Sequence, residues 1–289
     1  MRVIPESELI INSDGSIFHL HVKPEQLADK VILVGDPARV TMIAAYLDTK
    51  ECDISSREFH TVTGTYKGKR LTIVSHGIGT DNIDIVLNEL DALANIDFKT
   101  RTIKPEKRCL TLVRVGTSGG LQPYTPIGSF VAAEKSIGFD GVLYFYKDSE
   151  RVRDLRFEEE LSRQLEWKIP NIRPYVVSAN ASLIEQICGD DIQKGVTIAA
   201  NGFYGPQGRE LRLGLEDPQL NKKIEAFEWE KYRITNFEME SSSLSGLAAL
   251  MGHRAMTVCG IIAGRVAENM NTDYQEIIKS LIEKVLDRI

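Results

Sequence analysis

The sequence has little of what marks several large classes of protein. Its four cysteines, Cys52, Cys109, Cys188 and Cys259, show no C-x-x-C spacing, so neither a zinc site nor a disulfide framework is indicated. We expect four buried, reduced thiols. No apolar run approaches the roughly 18 residues that span a bilayer, and residues 1–12 lack the basic-then-apolar order of a secretory signal. A cytoplasmic protein without a membrane partner is therefore expected.

The charge balance and the missing motifs exclude further classes. A net charge of −6 and a pI near 5.5 argue against a nucleic-acid partner, so an anionic ligand should be small and bound by a local group of arginines and backbone N–H groups. The sequence has no Walker loop, no G-x-G-x-x-G fingerprint, no metal-ligand spacing and no Ser/His/Asp order. A metal site, a dinucleotide cofactor and a covalent nucleophile are therefore not expected.

What the sequence does contain is a repeated order of strand, glycine turn and helix. The apolar runs are Val31–Val34 before Gly35, Leu71–Val74 before Gly77, and Cys109–Val115 before a predicted turn at Gly116–Gly120, with helices predicted at Arg39–Leu47 and Ile83–Leu93. This order is typical of an α/β fold with a parallel or mixed sheet, whose ligands bind outside the carboxyl ends of the strands. The length and the 43% hydrophobic content favour a single domain over residues 1–289.

Two segments are predicted to serve packing and surface rather than chemistry. An apolar stripe from Ile277 to Ile289 predicts a C-terminal helix, and Thr272 with Gln275 has the spacing of a capping box in front of it. Residues 97–107 contain a cluster of basic residues and are predicted to form a surface insertion between a helix and a strand.

Two of the glycine turns carry groups suited to an anion. Asp36 can cap a helix that Pro37 begins, and free N–H groups there, with Arg39 one helical turn further on, would attract phosphate. Arg114 stands in an apolar strand, where a charge is costly unless it is paired, and Thr117 adds a hydroxyl after it. The alternatives are generic turn chemistry at the first place and a structural arginine–carboxylate pair at the second.

Two further segments have the chemistry of nucleoside recognition. Gln207 and Arg209 are two positions apart, so both side chains can point into one pocket, where their donors and acceptor match uracil at O2, N3–H and O4. Glu238 and Glu240 flank Met239, so a sugar could lie on the thioether while a carboxylate accepts from its vicinal hydroxyls. The alternatives are a solvated polar loop and acidic residues placed by a helix dipole.

Seven motifs follow one another along nearly the whole chain. They are Phe18-His19-Leu20, Gly35-Asp36-Pro37 with Arg39, Ser56-Arg57-Glu58-Phe59, His76-Gly77-Ile78-Gly79, Arg114 to Gly119, Phe203 to Arg209, and Phe237 to Ser241. Their order resembles that of the nucleoside phosphorylase family, in its uridine phosphorylase branch. Each motif is weak by itself, and Gln207-Gly208-Arg209 is the part particular to the branch.

The resemblance implies a fold, an activity and a set of site residues. The fold would be an α/β three-layer sandwich with a mixed, partly barrel-like central sheet, and the activity would be uridine phosphorolysis in pyrimidine salvage, with inorganic phosphate as co-substrate. The implied phosphate residues are Gly35, Arg39, Arg57, Arg114 and Thr117; the ribose residues are His19, Met239 and Glu240; the base residues are Phe203, Gln207, Arg209 and Arg265. Arg114, Gln207, Arg209 and Glu240 would be catalytic, acting by stabilising charge.

The resemblance also implies an assembly. Arg57 and His19 would serve the site of a neighbouring subunit, which requires at least a homodimer, and family members are commonly hexamers built as trimers of dimers. Some members bind a structural potassium ion through the glutamate equivalent to Glu58. No other cofactor is expected.

Two other functions stay open at this point. One is a purine nucleoside phosphorylase or nucleosidase of the same fold, which Ala263-Gly264-Arg265 disfavours because it has no carboxylate for a purine N7. The other is a non-catalytic nucleoside-binding paralogue, which the retained phosphate residues disfavour. The sequence departs from better-known bacterial members at His76, which is threonine in some relatives, and at Gly264, where asparagine is expected.

Overall fold

The chain forms a large mixed sheet covered by helices in a computed structural model, which describes residues 2–264 and 269–289. The strands are β1 Lys30–Val34, β2 Thr49–Ser56, β3 Phe59–Tyr66, β4 Lys69–Ser75, β5 Ile96–Asp97, β6 Thr102–Ile103, β7 Thr111–Gly120, β8 Phe130–Gly138, β9 Tyr175–Ser178, β10 Gln193–Ala199, β11 Glu228–Trp229, β12 Tyr232–Glu238, β13 Arg254–Gly264 and β14 Asn269–Met270. The helices are α1 Pro37–Ala44, α2 Thr80–Asn95, α3 Leu155–Gln164, α4 Ala181–Ile187, α5 Leu220–Ala226, α6 Ser241–Met251 and α7 Gln275–Arg288. No helix within the described ranges has the length and apolar content to cross a membrane.

One half of the sheet is closed and the other half is open. The strand order is β11-β12-β10-β8-β13-β7-β1-β4-β3-β2, and β12 also pairs with β7 through Asn236–Gly120 and Phe237–Gly119. That extra pairing closes β7, β13, β8, β10 and β12 into a five-stranded ring. Strands β1, β4, β3 and β2 continue from β7, in that order, as an open sheet. The predicted α/β fold with a mixed, partly barrel-like sheet is therefore confirmed.

Helices cover both faces of the open half and make it a three-layer structure. Consecutive residues of a strand point to opposite faces, and in β7 Val113 packs with α1, α4 and α7, whereas Leu112 packs with α2 and α6. A third cluster joins α3 and α5 to β8, β10 and β12 through residues such as Phe157, Ile224 and Ile198. Burial of both faces explains why these strands are nearly continuous apolar runs.

The structure corrects the predicted turn at Gly116–Gly120, because β7 continues through all five residues. The glycines permit close approach instead of a turn. A Cβ at Gly120 would lie 2.3 Å from the carbonyl oxygen of Thr125, and a Cβ at Gly116 would lie 2.7 Å from Nη1 of Arg114. A side chain at Gly120 would collide with the backbone at Thr125, and one at Gly116 would displace the arginine.

The first predicted helix is confirmed with different bounds. Asp36 is its N-cap, accepting at Oδ1 from the Ala38 N–H at 2.9 Å, and Pro37 is its first residue. The helix ends at Ala44, three residues before the predicted Leu47.

The predicted capping box of the last helix is wrong. α7 begins at Gln275, and its N-cap, Tyr274, makes no side-chain capping hydrogen bond. Thr272 lies outside the helix, in a bend where the Asp273 N–H donates to Oδ1 of Asn271 at 2.9 Å. This local turn competes with a helical start at Thr272 and delays the helix.

The predicted insertion at residues 97–107 includes part of a small hairpin, since β5 pairs with β6. Arg101 at its tip donates from Nε to the Ile4 carbonyl at 2.9 Å, and from Nη2 to the Leu9 carbonyl. The insertion therefore anchors the segment before β1 in addition to covering the surface.

The prediction of four buried thiols is wrong in part. Cys259 is buried, Cys52 and Cys188 are half-buried, and Cys109 is exposed. Cys109 is exposed because it lies in the irregular segment before β7, outside the buried strand. All four are free thiols.

Candidate active site

A cavity of about 690 Å³ lies beyond the carboxyl ends of β1, β4 and β12, beside the later parts of β7 and β13. This is where ligands bind in open α/β sheets. The predicted site residues that line it are Gly35, Arg39, Arg114, Thr117, Phe203, Gln207, Arg209, Met239 and Glu240. The fold therefore brings residues predicted to bind phosphate, ribose and base into one space, although they come from distant parts of the sequence.

Three predicted residues are not placed in this cavity. Arg57 is exposed in the β2–β3 turn with φ of 55° and does not line the cavity, although its neighbour Glu58 does. His19 pairs through Nδ1 with Oε1 of Glu89 at 2.6 Å and lines a separate pocket of about 290 Å³. Arg265 lies outside the described residues. Arg57 and His19, the two residues that were assigned to a neighbouring subunit, thus do not line the cavity of their own chain.

Two glycine turns meet at one end of the cavity. The Gly77 N–H donates to the carbonyl of Gly35 at 3.1 Å, and a Cβ at Gly35 would lie 3.2 Å from the Gly77 carbonyl oxygen. Only glycine lets the two turns come this close. Half-buried Arg39 lies over this end, with its guanidinium carbon 5.9 Å from the ring centre of Tyr274. A cation beside a helix start and close-packed backbone is suited to an anion.

Arg114 donates hydrogen bonds from all three of its guanidinium nitrogens. Its Nη1 donates to Oε2 of Glu238 at 2.8 Å, its Nη2 donates to Glu240, and its Nε donates to Nε2 of His76 at 3.2 Å. Burial opposes the charge of Arg114, which is 4% exposed, but Glu240 and Glu238 more than offset that effect and raise its pKa. The arginine–carboxylate pair considered from sequence is therefore present, and it forms part of the cavity wall.

The two carboxylates have different tasks. Glu238 accepts from the backbone N–H of Glu240 and of Ser241, each at 3.0 Å, and so caps the start of α6. Glu240 accepts at Oε1 from the Gly79 N–H at 2.7 Å, where Gly79 has a left-handed φ of 92°. Burial raises the pKa of Glu240, the positive charge of Arg114 lowers that pKa, and the negative charge of Glu238 raises it further. Glu240 is thereby fixed from two sides as a hydrogen-bond acceptor at the cavity.

Sequence reasoning missed the partners that hold these groups in place. His76 and Gly79 belong to a motif noted in the series, but no role was assigned to either residue. Tyr274 was placed in no motif. Buried Cys259 also contacts Arg114, with its Sγ 3.8 Å from Nη1, and burial raises its pKa to about 12. Its thiol is therefore neutral and a poor nucleophile.

The other end of the cavity is a short loop that holds itself together. Arg209 donates from Nη1 to Oε1 of Gln207 at 2.5 Å and to the Phe203 carbonyl at 2.6 Å. Its guanidinium carbon lies 3.8 Å from the centre of the Phe203 ring. Gln207 is buried, and its backbone carbonyl accepts a hydrogen bond from Nδ2 of Asn221 at 3.2 Å. As predicted, both side chains of the Gln-x-Arg pair face one cavity.

The charged groups that line the cavity come from different parts of the fold. Arg39 and Arg114 accompany the glycine turns, Arg209 lies on the loop with Gln207, and the carboxylates among the described lining residues are Asp36, Glu58, Glu238 and Glu240. Such a cavity suits a ligand that combines an anionic group, hydroxyls and hydrogen-bond acceptors. Within the described ranges, no group of three or more His, Cys, Asp or Glu side chains is arranged to hold a metal ion.

Comparison with known proteins agrees with this geometry. Residues 29–288 match the profile of the phosphorylase superfamily. Uridine phosphorylase of Thermococcus kodakarensis is 30% identical over 88% of this chain and 79% of that protein, and a DeoD-type purine nucleoside phosphorylase of Aliivibrio fischeri is 27% identical over 84% of each. Trypanosoma brucei nucleoside phosphorylase, whose crystal structure is described as showing uridine phosphorylase activity, is 28% identical with a TM-score of 0.87 over 97% of this chain and 99% of that one. The family predicted from the motif series is confirmed: this chain belongs to the phosphorylase superfamily.

Proposed function

We propose that the protein is a uridine phosphorylase, a pentosyltransferase that converts uridine and phosphate to uracil and ribose 1-phosphate. The carrying observation is that one cavity is lined by Arg39 and Arg114, by Glu240, and by Gln207 with Arg209. These three groups match the chemistry of phosphate, ribose and a pyrimidine. The relatives from Thermococcus kodakarensis and Trypanosoma brucei support the assignment.

The proposed reaction uses each of these three groups of residues. A phosphate oxygen held by Arg39 and Arg114 attacks C1′ while the bond from C1′ to N1 of uracil breaks, so the configuration at C1′ inverts. The bonding electron pair leaves with uracil, and the ribosyl group passes through a cationic transition state next to the phosphate. Glu240 accepts from the ribose hydroxyls. Arg209 and Gln207 donate to the oxygens of the departing uracil anion, which takes up a proton after release.

The cavity wall disfavours the purine alternative. Where β13 reaches the cavity its lining residues are Ile262 and Ala263, which offer no carboxylate to a purine N7. Among the described residues, the carboxylates that line the cavity are Asp36, Glu58, Glu238 and Glu240. The last two already pair with Arg114, and Glu238 also caps a helix. A non-catalytic nucleoside binder would not need Arg39 and Arg114 in the wall.

Phosphate dependence tests the proposal. Release of the free base is followed by ultraviolet absorbance with uridine, cytidine and inosine, with and without phosphate. We expect rapid uridine cleavage that requires phosphate, since the two arginines at one end of the cavity supply the anion site. Equal rates without phosphate would identify a hydrolase, and a preference for inosine would identify a purine enzyme.

A shared site between subunits is the second part of the proposal. Arg57 and His19 do not line the cavity of their own chain, and we propose that each completes the site of a partner in a homodimer, further assembled as a hexamer. Pyrimidine salvage in the cytoplasm is the corresponding cellular role.

Subunit mixing tests the sharing. Arg57→Ala and Arg114→Ala proteins, each inactive alone, are allowed to exchange subunits and are then assayed. A mixed dimer contains one site with its own Arg114 and the partner's intact Arg57, so part of the activity should return. Exchange demonstrated by labelled subunits, without recovered activity, would place Arg57 outside the shared site.

A further inference from the structure

His76 follows β4 directly and crosses the sheet toward Arg114. Its backbone N–H donates to the carbonyl of Val34 at 2.8 Å, so it continues the pairing of β4 with β1. Its ring then reaches Arg114 on β7, the strand on the far side of β1, with Nε2 accepting from Nε at 3.2 Å. The imidazole of His76 therefore reaches from the end of β4 to β7, across the residue that follows β1.

A glycine on β7 makes room for the arginine in this contact. A Cβ at Gly116 would lie 2.7 Å from Nη1 of Arg114, so a side chain there would displace the guanidinium. On the neighbouring strand, a Cβ at Gly35 would lie 3.8 Å from Cε1 of His76, which is an ordinary van der Waals contact. The imidazole thus packs over Gly35, and the guanidinium packs over Gly116.

The ring acts as an acceptor, which requires it to be neutral. His76 is fully buried, and burial together with the charge of Arg114 holds its pKa well below the ordinary value. A neutral ring that accepts at Nε2 carries its proton on Nδ1. The Nε–H of Arg114 therefore has a dedicated acceptor, and the two terminal nitrogens are left to Glu238 and Glu240.

We propose that His76 is a positioning residue that fixes the guanidinium plane of Arg114 through this hydrogen bond. Without it the guanidinium can rotate about its terminal torsion, and the division of its nitrogens between Glu238 and Glu240 is lost. Since the same arginine lines the phosphate end and holds the carboxylate of the ribose site, its rotation weakens both. The inference rests on the proposed function and adds to it a residue that touches neither substrate.

Three variants separate the hydrogen bond from the volume of the ring. His76→Gln places an amide oxygen near the position of Nε2, His76→Asn offers one only near the position of Nδ1, and His76→Leu fills space without an acceptor. His253→Leu is the matched control, since His253 is also buried and accepts from the backbone N–H of Leu110 at 3.1 Å, but Leu110, unlike Arg114, does not line the cavity.

The readouts are kcat, the KM for phosphate and for uridine, phosphate binding by titration calorimetry, and the melting temperature. A hydrogen bond to a charged group is worth roughly ten- to a hundredfold, so we expect a loss of that size in kcat/KM for phosphate in His76→Leu and His76→Asn. His76→Gln should recover most of it. His253→Leu should lower the melting temperature and leave the kinetics of the folded enzyme unchanged.

The inference is overturned if folded His76→Leu or His76→Asn keeps the parent kinetics, or if His76→Gln is as impaired as His76→Leu although both melt like the parent. A parent enzyme that does not cleave uridine would count against the proposed function instead. In that case phosphate binding by the same variants still decides the role of His76.

Discussion

The two ends of the cavity are built in opposite ways. At the phosphate and ribose end, Arg114 and its partner Glu240 are 126 positions apart in sequence, and both side chains are almost fully buried. At the base end, Arg209 and its partner Gln207 are two positions apart, and Phe203 beneath the guanidinium is 44% exposed. One end depends on the assembly of the sheet, and the other is a local loop on top of it.

This difference indicates which part of the site can change independently. The buried end contains a cation that contacts two carboxylates and a neutral imidazole, so removing the cation leaves both carboxylates without their charged partner in a dry place. The base loop is exposed at residues 203–206, so substitutions in this loop should alter the base that is bound without destabilising the fold. Substitutions at each end test this contrast.

The largest effect is expected from Arg114→Ala. It removes the cation at the phosphate end and leaves Glu238 and Glu240 buried without their partner, so kcat/KM for uridine should fall by on the order of a hundredfold or more. The same loss should lower the free energy of unfolding by about 3–5 kcal/mol. Steady-state kinetics and urea denaturation measure the two effects.

The control is Arg163→Ala, which removes an exposed arginine whose guanidinium pairs with Glu160 on the surface of α3. That change should alter the free energy of unfolding by no more than about 1 kcal/mol and leave activity unchanged. If Arg114→Ala is as active and as stable as this control, the buried end is not the coupled unit described here.

A smaller effect, confined to the base, is expected from Arg209→Leu. Loss of a charge-assisted hydrogen bond should reduce kcat/KM for uridine by about ten- to a hundredfold, while the KM for phosphate stays near that of the parent. The free energy of unfolding should change by less than about 0.5 kcal/mol, as is usual outside a packed core. Arg212→Leu, at an exposed position of the same loop, is the control.

Cytidine provides a second test of base recognition by this loop. Its N3 has no proton and its exocyclic amine opposes donors near O4, so the parent enzyme should cleave it poorly, and Arg209→Leu and Gln207→Ala should narrow the gap between uridine and cytidine. A parent that cleaves both equally well, or variants with unchanged uridine kinetics, would contradict the role of the loop in base recognition.

The parts of the site that sequence could predict are the local ones. The cap at Asp36 and the shared pocket of Gln207 and Arg209 each depend on residues close in sequence, and the structure has both. The alternation of apolar runs and glycines likewise predicted the sheet and the end of it that binds ligands.

The parts that sequence could not predict depend on long-range pairing. Gly116–Gly120 has the composition of a turn, and only the pairing of β7 with β13 and β12 keeps it extended. The acceptor for the Nε–H of Arg114 could not be identified either, because the approach of His76 requires β4 to lie beside β1 and β1 to lie beside β7. Neither fact has a local signal in the sequence.

The closed ring of strands makes the active site a property of nearly the whole chain. β12 meets β7 at Gly119 and Gly120, and the residue that follows this contact on β12 is Glu238, a partner of Arg114. A fragment that ends before β12 would carry the arginine without either carboxylate. Contacts between residues so distant in sequence form only after the intervening chain has been brought together, which makes them slow to form. Catalytic activity in this protein therefore requires the five-stranded ring to have closed, so an activity assay also detects closure of the ring.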